Sequence, residues 1–276
     1  MLRSITSSRL VAAAIFVVSV QHMSAQTSFP PPPAPPAPGR SGAPIDLTGT
    51  WVSIVSEDWI YRMLTPPKGN YASVPLNEEG RRVADSWNLA RDNDAGLQCK
   101  AFGAAALMRT PTRLQVTWQD ALTLRIDADN GTQSRQLHFA PGPRQSLISL
   151  TLDAPSAEPS WQGYSVAEWE TLAPRGAYNG ISGQRFPNKG SLKVMTTRLR
   201  AGYLRANGVP YSEKTVLSET FDKFTAPNGD EWIVVTSIVD DPIFLSQPYV
   251  TTSHFRKEPD GSKWRPSTCV TPAPLK

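Results

Sequence analysis

The sequence predicts an all-β, mainly antiparallel fold that closes into a barrel of about 8–10 strands, with one short helix and long loops. Three observations predict it. Apolar and polar residues alternate in most hydrophobic segments, which is the period of a half-buried strand. Gly, Asn and Asp turn signals separate these segments by roughly 10–20 residues. Helical segments do not alternate with the strands, which argues against a parallel α/β fold, and closure is favoured over a sandwich because it removes sheet edges.

Five candidate strands occupy the first half of the chain: Leu47–Val55, Leu114–Trp118, Leu122–Asp127, Gln133–Phe139 and Leu147–Leu152. The pair Asn130-Gly131, between the third and fourth of these, predicts a hairpin. The expected connection is a type I′ turn, whose two central residues both need positive φ.

One segment is predicted to be helical. Asn77 is a suitable N-cap, and Glu78 and Glu79 lie in the first turn, where carboxylates oppose the helix dipole. Val83 and Trp87 are four positions apart and would share the buried face of a helix of about three turns.

Four further candidate strands follow a stretch rich in Pro and Gly at 154–190: Leu192–Leu199, Thr215–Asp222, Glu231–Val239 and Tyr249–Arg256. The triplet Asn228-Gly229-Asp230 predicts the turn between the second and third of these. Asp240-Asp241-Pro242 predicts an Asx-type turn, because Pro242 disfavours the helical conformation at Asp241.

Three segments make up the expected domain organisation: a signal peptide at 1–25, a Pro-rich disordered spacer at 26–44, and a single β-barrel domain at 45–276. The leader contains Arg3 and Arg9 and then the apolar run Leu10–Val20, which is too short to span a bilayer as a helix. Cysteine is missing near the cleavage region, so no lipid anchor is expected. The protein is therefore predicted to be periplasmic or secreted, without a membrane span.

The charge and the motifs exclude several classes of function. The net charge of +4 falls to about +2 without the leader, and Lys and Arg are not clustered, which argues against nucleic acid as a partner. Gly-rich nucleotide loops and serine-nucleophile signatures are missing. His138 and His254, on separate strands, do not form a recognisable metal-ligand set. We therefore expect neither a cofactor nor a metal.

Cys99 and Cys269 are the two cysteines of the chain. In an oxidising compartment they most simply form one disulfide, while two buried thiols or half of a metal site are the alternatives. In the chain-entropy treatment, closing a loop of this length contributes about 5 kcal/mol.

Gly49-Thr50-Trp51, at the start of the first strand, resembles the Gly-X-Trp signature of lipocalin-like barrels. In that family the Trp closes the floor of the barrel, and an Arg near the last strand packs across its ring. The resemblance implies these structural roles for Trp51 and Arg256, with a cation–π contact between them.

The chain also resembles a set of uncharacterised exported bacterial proteins. The resemblance extends roughly from Cys99 to Arg256, and the segments that carry it are Trp161–Ser165, Leu192–Thr197, Tyr203–Pro210 and Asp241–Pro248. It supports a single domain and implies no activity.

An aromatic group consisting of Trp161, Tyr164, Trp169 and Tyr178 lies in the Pro- and Gly-rich stretch. Such a segment can form a lid at the mouth of a barrel, where rings stack on an apolar ligand, or it can simply anchor a long loop. The residues expected to contact a ligand are Trp161, Tyr164, Tyr203, Arg205 and His254.

Glu219 is an acid in the middle of an apolar strand, where it shares a face with Leu217 and Phe221. This neighbourhood favours the barrel interior, where a carboxylate must find a partner or be protonated, although a solvated strand acid is an open alternative. The candidate partners by residue type are Arg198, Arg205, Tyr203 and His254.

Glu57 and Asp58 follow the first strand and precede Tyr61-Arg62. Such carboxylates can supply a general base, but an acid at a strand end that forms a salt bridge with Arg62 is the simpler interpretation.

Three functions are compatible with the sequence. The leading hypothesis is an exported protein that binds an apolar or amphipathic small molecule in its barrel. The rival is a cofactor-free isomerase, lyase or hydratase, in which Glu219 or His254 acts as acid or base and Tyr203 or Arg205 polarises the substrate. The third is a structural envelope protein with a filled barrel.

Overall fold

A computed structural model describes residues 37–141, 147–152, 158–171 and 190–275. The strands of this part of the chain are β1 Gly49–Ile54, β2 Arg113–Trp118, β3 Thr123–Ala128, β4 Gln133–Phe139, β5 Tyr164–Thr171, β6 Gly190–Thr197, β7 Gly202–Arg205, β8 Val209–Tyr211, β9 Val216–Thr225, β10 Glu231–Asp240 and β11 Tyr249–Glu258. Nine of these described strands form a closed barrel in the order β1-β11-β10-β9-β6-β5-β4-β3-β2, and β7 and β8 form a separate hairpin.

All neighbouring strands of the barrel are antiparallel except β4 and β5, which are parallel. The prediction of a mainly antiparallel, closed β-barrel is therefore confirmed. All the predicted strands but one are present, with ends shifted by up to three residues.

The described helices are short: α1 Trp59–Met63, α2 Glu78–Asp85, α3 Leu89–Asp94, α4 Ala104–Leu107 and α5 Leu147–Leu152. The predicted helix is α2, and Asn77 caps it because its side chain accepts a hydrogen bond from the Gly80 backbone N–H at 2.8 Å. The predicted length of about three turns is wrong, since α2 ends at Asp85 and Trp87 lies beyond it. None of the helices in the described ranges is long and apolar enough to cross a membrane.

The prediction of a strand at Leu147–Leu152 is wrong, since this segment is the helix α5. A run of six mainly apolar residues does not distinguish strand from helix by its period. The topology decides the outcome: β4 and β5 are parallel, so the chain must cross back between them, and α5 lies in this connection and packs against β5 and β6.

The strand β5 lies in the stretch that we expected to form a loop or lid. It pairs with β4 on one side and β6 on the other, so it completes the barrel wall. The expected aromatic residue Tyr178 lies outside the described residues, as does the signal peptide at 1–25.

The hairpin at Asn130-Gly131 is present, but its predicted type I′ geometry is wrong. Ala128 pairs with Gln133, which leaves a loop of four residues, and positive φ occurs at Gly131 (82°) and Thr132 (48°) rather than at Asn130. Gly131 is required here, because a Cβ would lie 2.5 Å from the ring of Phe102.

Residues 37–44, which we expected to belong to a disordered spacer, are structured against one end of the barrel. Gly39–Gly42 forms a 3₁₀ turn, and Gly39 is buried. The carbonyl of Gly39 accepts a hydrogen bond from Nε1 of Trp169 at 2.7 Å, and the N–H of Arg40 donates to the carbonyl of Ala121 at 2.9 Å. The folded domain therefore begins earlier than residue 45.

Two apolar clusters form the core: one lies mainly inside the barrel, and the other lies where β9, β10 and β11 meet α2, α4 and the hairpin β7–β8. One cluster includes Trp51, Phe221 and Phe255, and the other includes Leu217 and Tyr249. These residues have at most 5% of their surface exposed, so side chains pack closely in both clusters.

Glu219 faces the interior, between the two clusters, and is 2% exposed. Its partner is Arg135, at 2.6 Å, rather than any of the four candidates named from the sequence. Arg135 also hydrogen-bonds the hydroxyl groups of Ser165 and Thr196. Arg135 was missed because its strand, β4, lies on another side of the barrel from Glu219.

The predicted disulfide between Cys99 and Cys269 is confirmed, with a Cα–Cα distance of 5.1 Å. It fastens the C-terminal segment to the 3₁₀ turn Gln98–Phe102. The N–H of Leu275 donates to the carbonyl of Thr65, so this segment also contacts the chain after α1.

Candidate functional site

A pocket of about 340 Å³ lies on the outside of the barrel, where α1, α4, the hairpin β7–β8 and the C-terminal segment meet. This volume lies within the range of small-molecule sites. We call it the arginine pocket, and its lining consists of Tyr61, Arg62, Met63, Leu64, Thr65, Ala101, Phe102, Ala106, Arg109, Thr110, Pro111, Asn130, Leu204, Arg205, Ala206, Val270, Thr271 and Pro272.

Three buried arginines line the pocket: Arg62, Arg109 and Arg205. Arg62 belongs to α1, and its side chain is only 1% exposed. Its Nη1 lies 2.7 Å from Oε1 of Glu57, and its Nε donates to the carbonyl of Arg109 at 2.9 Å. These contacts fix the guanidinium at the wall of the pocket.

Arg109 follows α4 and pairs with Asp58, whose Oδ2 lies 2.8 Å from Nη2. The side chains of Asp58 and Glu57 are 35% and 36% exposed, whereas the two guanidinium groups are buried. The carboxylates therefore remain partly hydrated on the outer side of these arginines, which limits their neutralising effect.

Arg205 differs from the other two arginines, because it forms no ion pair with any described residue. Its Nη1 donates to the carbonyl of Ala72 at 2.7 Å, its Nη2 lies 3.4 Å from the hydroxyl of Tyr249, and its guanidinium stacks 4.2 Å from the ring centroid of Tyr61. Among the described residues, the pocket thus contains three positive charges and two nearby negative charges.

Three buried polar atoms of the lining residues have no hydrogen-bond partner among the described residues: Nη2 of Arg62, Oγ1 of Thr65 and Nε of Arg205. Buried polar groups are nearly always satisfied, because leaving one unpaired costs about 1–3 kcal/mol. Two donors and a hydroxyl group of this site therefore have unused hydrogen-bonding capacity.

Burial lowers the pKa of the Arg62 guanidinium, and the neighbouring Arg109 lowers it further, while Glu57 and Asp58 act in the opposite direction. An arginine stays charged even so. The lowered pKa means that the charged form is held in an unfavourable environment, which a bound anion would relieve.

The remaining walls of the pocket are largely apolar, with Tyr61, Leu64, Phe102, Leu204 and Val270 among the lining residues. An apolar cavity with a few charged groups is typical of a site that orients one polar end of a ligand. The arrangement is therefore suited to an amphipathic anion.

A larger cavity of about 1030 Å³ lies at the end of the barrel near Trp118, Trp169 and Lys223. None of the unpartnered buried polar atoms in the described part of the chain belongs to its lining. The arginine pocket is therefore the better candidate for a specific site.

Among the residues named from the sequence, Arg205 lies in the arginine pocket, and His254 lies near its outer side. His254 points outward from β11, and its Nδ1 is 3.5 Å from Oε2 of Glu57, the carboxylate that pairs with Arg62. Glu57 thus lies between His254 and Arg62, and the salt bridge expected with Arg62 is present.

Tyr203 neighbours the pocket without lining it. Its hydroxyl donates to Oδ2 of Asp92 at 2.7 Å and lies 3.4 Å from Nζ of Lys100. Burial raises the pKa of Tyr203, and the hydrogen bond to Asp92 raises it further, so the phenol stays protonated.

The aromatic residues expected to contact a ligand have separate partners. Arg200 stacks 4.8 Å from the ring centroid of Trp161, and Tyr164 stacks on His138 at 4.9 Å. Trp169 is buried in the core. These described residues do not come together as a lid.

Lys257, and not Arg256, lies over the ring of Trp51, with Nζ 5.5 Å from the centroid. The reason is the register: Trp51 pairs with Lys257, so both side chains lie on the same face, whereas Arg256 points outward and reaches Asp230 at 3.8 Å. The role expected for Arg256 is therefore wrong, while Trp51 is fully buried.

Sequence reasoning did not identify Arg109 and Thr65 as site residues. Arg109 follows an apolar run, Ala104–Met108, that carries no functional motif, and Thr65 is one of many threonines. Only the acidic pair before Arg62 marked the region. No family model, curated protein or solved structure matches the chain, so the chemistry of the pocket is the guide to its function.

Proposed function

We propose that the protein is an exported small-molecule-binding protein whose ligand is amphipathic and carries an anionic group, bound in the arginine pocket. The observation that carries this proposal is the buried guanidinium of Arg205, which has no carboxylate partner among the described residues. Carboxylate and phosphate groups match the planar donors of arginine, and such charge-assisted hydrogen bonds are stronger than neutral ones.

Two neighbouring groups support the same ligand chemistry. Nη2 of Arg62 and Oγ1 of Thr65 are also unpartnered and buried at the pocket. A ligand with one anionic end can accept hydrogen bonds from these groups, while its apolar part packs against Leu64 and Phe102. Charge at one end and apolar surface at the other define an amphipathic ligand.

Export is supported by the leader that the sequence predicts at 1–25 and by the disulfide between Cys99 and Cys269. Disulfides persist in the periplasm and outside the cell and are rare in the cytosol. A binding protein in such a compartment would meet small molecules released from the cell or its envelope.

The resemblance of Gly49-Thr50-Trp51 to lipocalin-like barrels supports a role in carrying a small molecule. We place the ligand outside the barrel wall, however, because the charged groups at the barrel centre, Arg135 and Glu219, already pair with each other. The lipocalin-like resemblance thus bears on the barrel, and the arginine pocket supplies the binding chemistry.

The enzyme considered from the sequence would place Glu219 or His254 beside Tyr203 or Arg205 around one substrate. Glu219 instead pairs with Arg135, His254 lies 3.5 Å from Glu57, and the hydroxyl of Tyr203 donates to Asp92. We therefore propose binding rather than catalysis.

The test compares two probes of equal chain length, decanoate and decanol, by isothermal titration calorimetry on the purified, disulfide-bonded protein. We expect decanoate to bind about tenfold more tightly or better, since a charge-assisted hydrogen bond contributes about 1.5–3 kcal/mol. Arg205→Met should abolish this preference. The matched control is Arg125→Met, which removes a half-exposed arginine that pairs with Asp127 on the barrel surface.

Equal affinity for the two probes, or an unchanged preference in Arg205→Met, would refute an anion-binding pocket. If neither probe binds, a structural envelope protein with a filled barrel becomes the better description. Circular dichroism of each variant checks that the barrel is intact.

A further inference from the structure

The helix α1 has an inverted distribution of polar and apolar side chains. It buries the side chain of Arg62, which is 1% exposed, and it exposes Trp59 and Met63, which are 56% and 53% exposed. Short surface helices normally turn their apolar side chains to the core. A buried charge beside exposed large apolar residues is therefore a sign of function rather than of packing.

Exposed apolar residues surround the arginine pocket on two sides. Of the eleven large hydrophobic side chains that are exposed in the described part of the chain, six are on or near its rim. We call these six residues the apolar rim, and they are Trp59, Ile60, Met63, Leu64, Val270 and Leu275. The pocket is lined by three of them, Met63, Leu64 and Val270. Leu275 donates a hydrogen bond from its N–H to the carbonyl of Thr65.

Contacts at both ends of α1 hold the apolar rim in place. Asp58, immediately before α1, has a φ of 52°, a conformation that costs energy for a residue other than glycine. Its ion pair with Arg109 holds the start of α1 against the domain, and the hydrogen bond from Nε of Arg62 to the carbonyl of Arg109 holds its end. The apolar residues are thus presented outward by buried anchors.

We propose that the apolar rim docks on a lipid bilayer that contains anionic lipid, with the phosphate of one headgroup in the arginine pocket. This inference rests on the proposed function, because it identifies the anion of the pocket as part of a lipid. Trp and large aliphatic residues favour the boundary between headgroups and acyl chains, so the rim enters that boundary.

Charge complementarity favours a lipid surface over a protein partner. The guanidinium of Arg205, which has no ion-pair partner among the described residues, lies in a pocket that has exposed apolar side chains on two sides. An anionic lipid is complementary to this arrangement, because its phosphate can bind the guanidinium while its acyl chains contact the apolar rim.

The test is vesicle flotation of the full exported protein with phosphatidylcholine vesicles, with and without phosphatidylglycerol. The variant Trp59→Ser/Ile60→Ser removes two rim residues that do not line the pocket, so decanoate binding should be unchanged. The matched control is Ile238→Ser/Val250→Ser, which removes two exposed apolar residues paired on β10 and β11.

We expect the wild-type protein to float with the phosphatidylglycerol vesicles and not with phosphatidylcholine alone. The partition coefficient of the rim variant should fall by about tenfold or more, because each buried CH₂ contributes about 0.8 kcal/mol. The partition coefficient of the control variant should be that of the wild-type protein. Arg205→Met should lose the preference for phosphatidylglycerol.

Decanoate binding without vesicle binding would overturn the docking proposal and leave the proposed function intact. Equal flotation of the rim variant and the control would also overturn it, and it would favour a soluble anion or a protein as the occupant. If the wild-type protein does not bind decanoate more tightly than decanol, the proposed function itself is refuted.

Discussion

Arg135 and Glu219 join two strands that are not neighbours in the sheet, with Nη2 of Arg135 2.6 Å from Oε2 of Glu219 and neither side chain exposed. Arg135 lies on β4 and Glu219 on β9, which are separated by β5 and β6 along the barrel. The ion pair therefore crosses the interior and connects opposite parts of the wall. Its position between two apolar clusters makes it a fixed part of the core.

Removing one partner of this pair should destabilise the barrel more than removing both. Arg135→Met or Glu219→Leu alone leaves an uncompensated buried charge, which costs about 3–5 kcal/mol. The double variant should recover much of this loss, because an apolar pair of similar volume needs no partner. Urea unfolding measures the free energies, and Arg125→Met serves as a surface control with an effect below about 1 kcal/mol. Additive losses in the double variant would contradict the coupling.

Most of the barrel was predictable because its strands carry local signals. The segment Gln133–Phe139 follows the turn signal Asn130-Gly131, and Glu231–Val239 follows Asn228-Gly229-Asp230, so local signals mark where both strands begin. The segment Leu147–Leu152 was predicted as a strand but is a helix, and the strand Tyr164–Thr171 was not predicted. Both failures have one reason. The parallel pairing of β4 and β5 requires a crossing connection, and a period along the chain does not encode which strands are neighbours.

The site was predictable only in part, because its groups are distant in sequence. Arg205 and His254 were named on residue type, but the pocket depends on Arg62 and Arg109, which are 47 residues apart, and on contacts with the hairpin β7–β8. Burial without a carboxylate partner is a property of the folded state. It distinguishes Arg205 from the other buried arginines of the described residues and leaves no trace in the local sequence.

The two acids at the pocket should weaken the binding of an anion. Glu57→Gln removes one negative charge beside Arg62, so the affinity for decanoate should rise, by a few-fold because the Glu57 side chain is 36% exposed. Arg62→Met should lower the affinity by about tenfold. Calorimetry at low salt measures both effects. Glu170→Gln, at an exposed surface ion pair with Lys193, is the control and should change nothing. Unchanged affinity in both pocket variants would mean that the anion does not bind near Arg62.

Acid should destabilise the protein partly through Asp241, whose side chain closes the turn after β10. Burial raises the pKa of this carboxyl, but hydrogen bonds from the Thr215 hydroxyl and the N–H groups of Ser212, Phe244 and Ile243 outweigh burial and leave the pKa below its ordinary value. The folded-state pKa is thus lower than the unfolded one. The stabilisation is complete above about pH 4 and is lost as the pH falls through the folded-state pKa.

The variant Asp241→Asn tests this contribution. Its free energy of unfolding at neutral pH should be about 1–3 kcal/mol lower than that of the wild-type protein, because an amide accepts these hydrogen bonds less strongly. The difference between the two proteins should shrink as the pH falls below about 4. Urea unfolding between neutral and acidic pH measures it, and a difference that stays constant with pH would exclude Asp241 as the titrating group.

The disulfide between Cys99 and Cys269 should affect ligand binding as well as stability. Ala101 and Phe102 follow Cys99, Val270 follows Cys269, and all three line the arginine pocket. Cys99→Ser/Cys269→Ser should lower the free energy of unfolding by about 2–5 kcal/mol and weaken decanoate binding, because the C-terminal wall is no longer fastened. Thermal unfolding and calorimetry measure the two effects. A reductant should reproduce both in the wild-type protein and change neither in the double variant. If a reduced wild-type protein binds decanoate as tightly as the oxidised one, the C-terminal segment is not part of the binding wall.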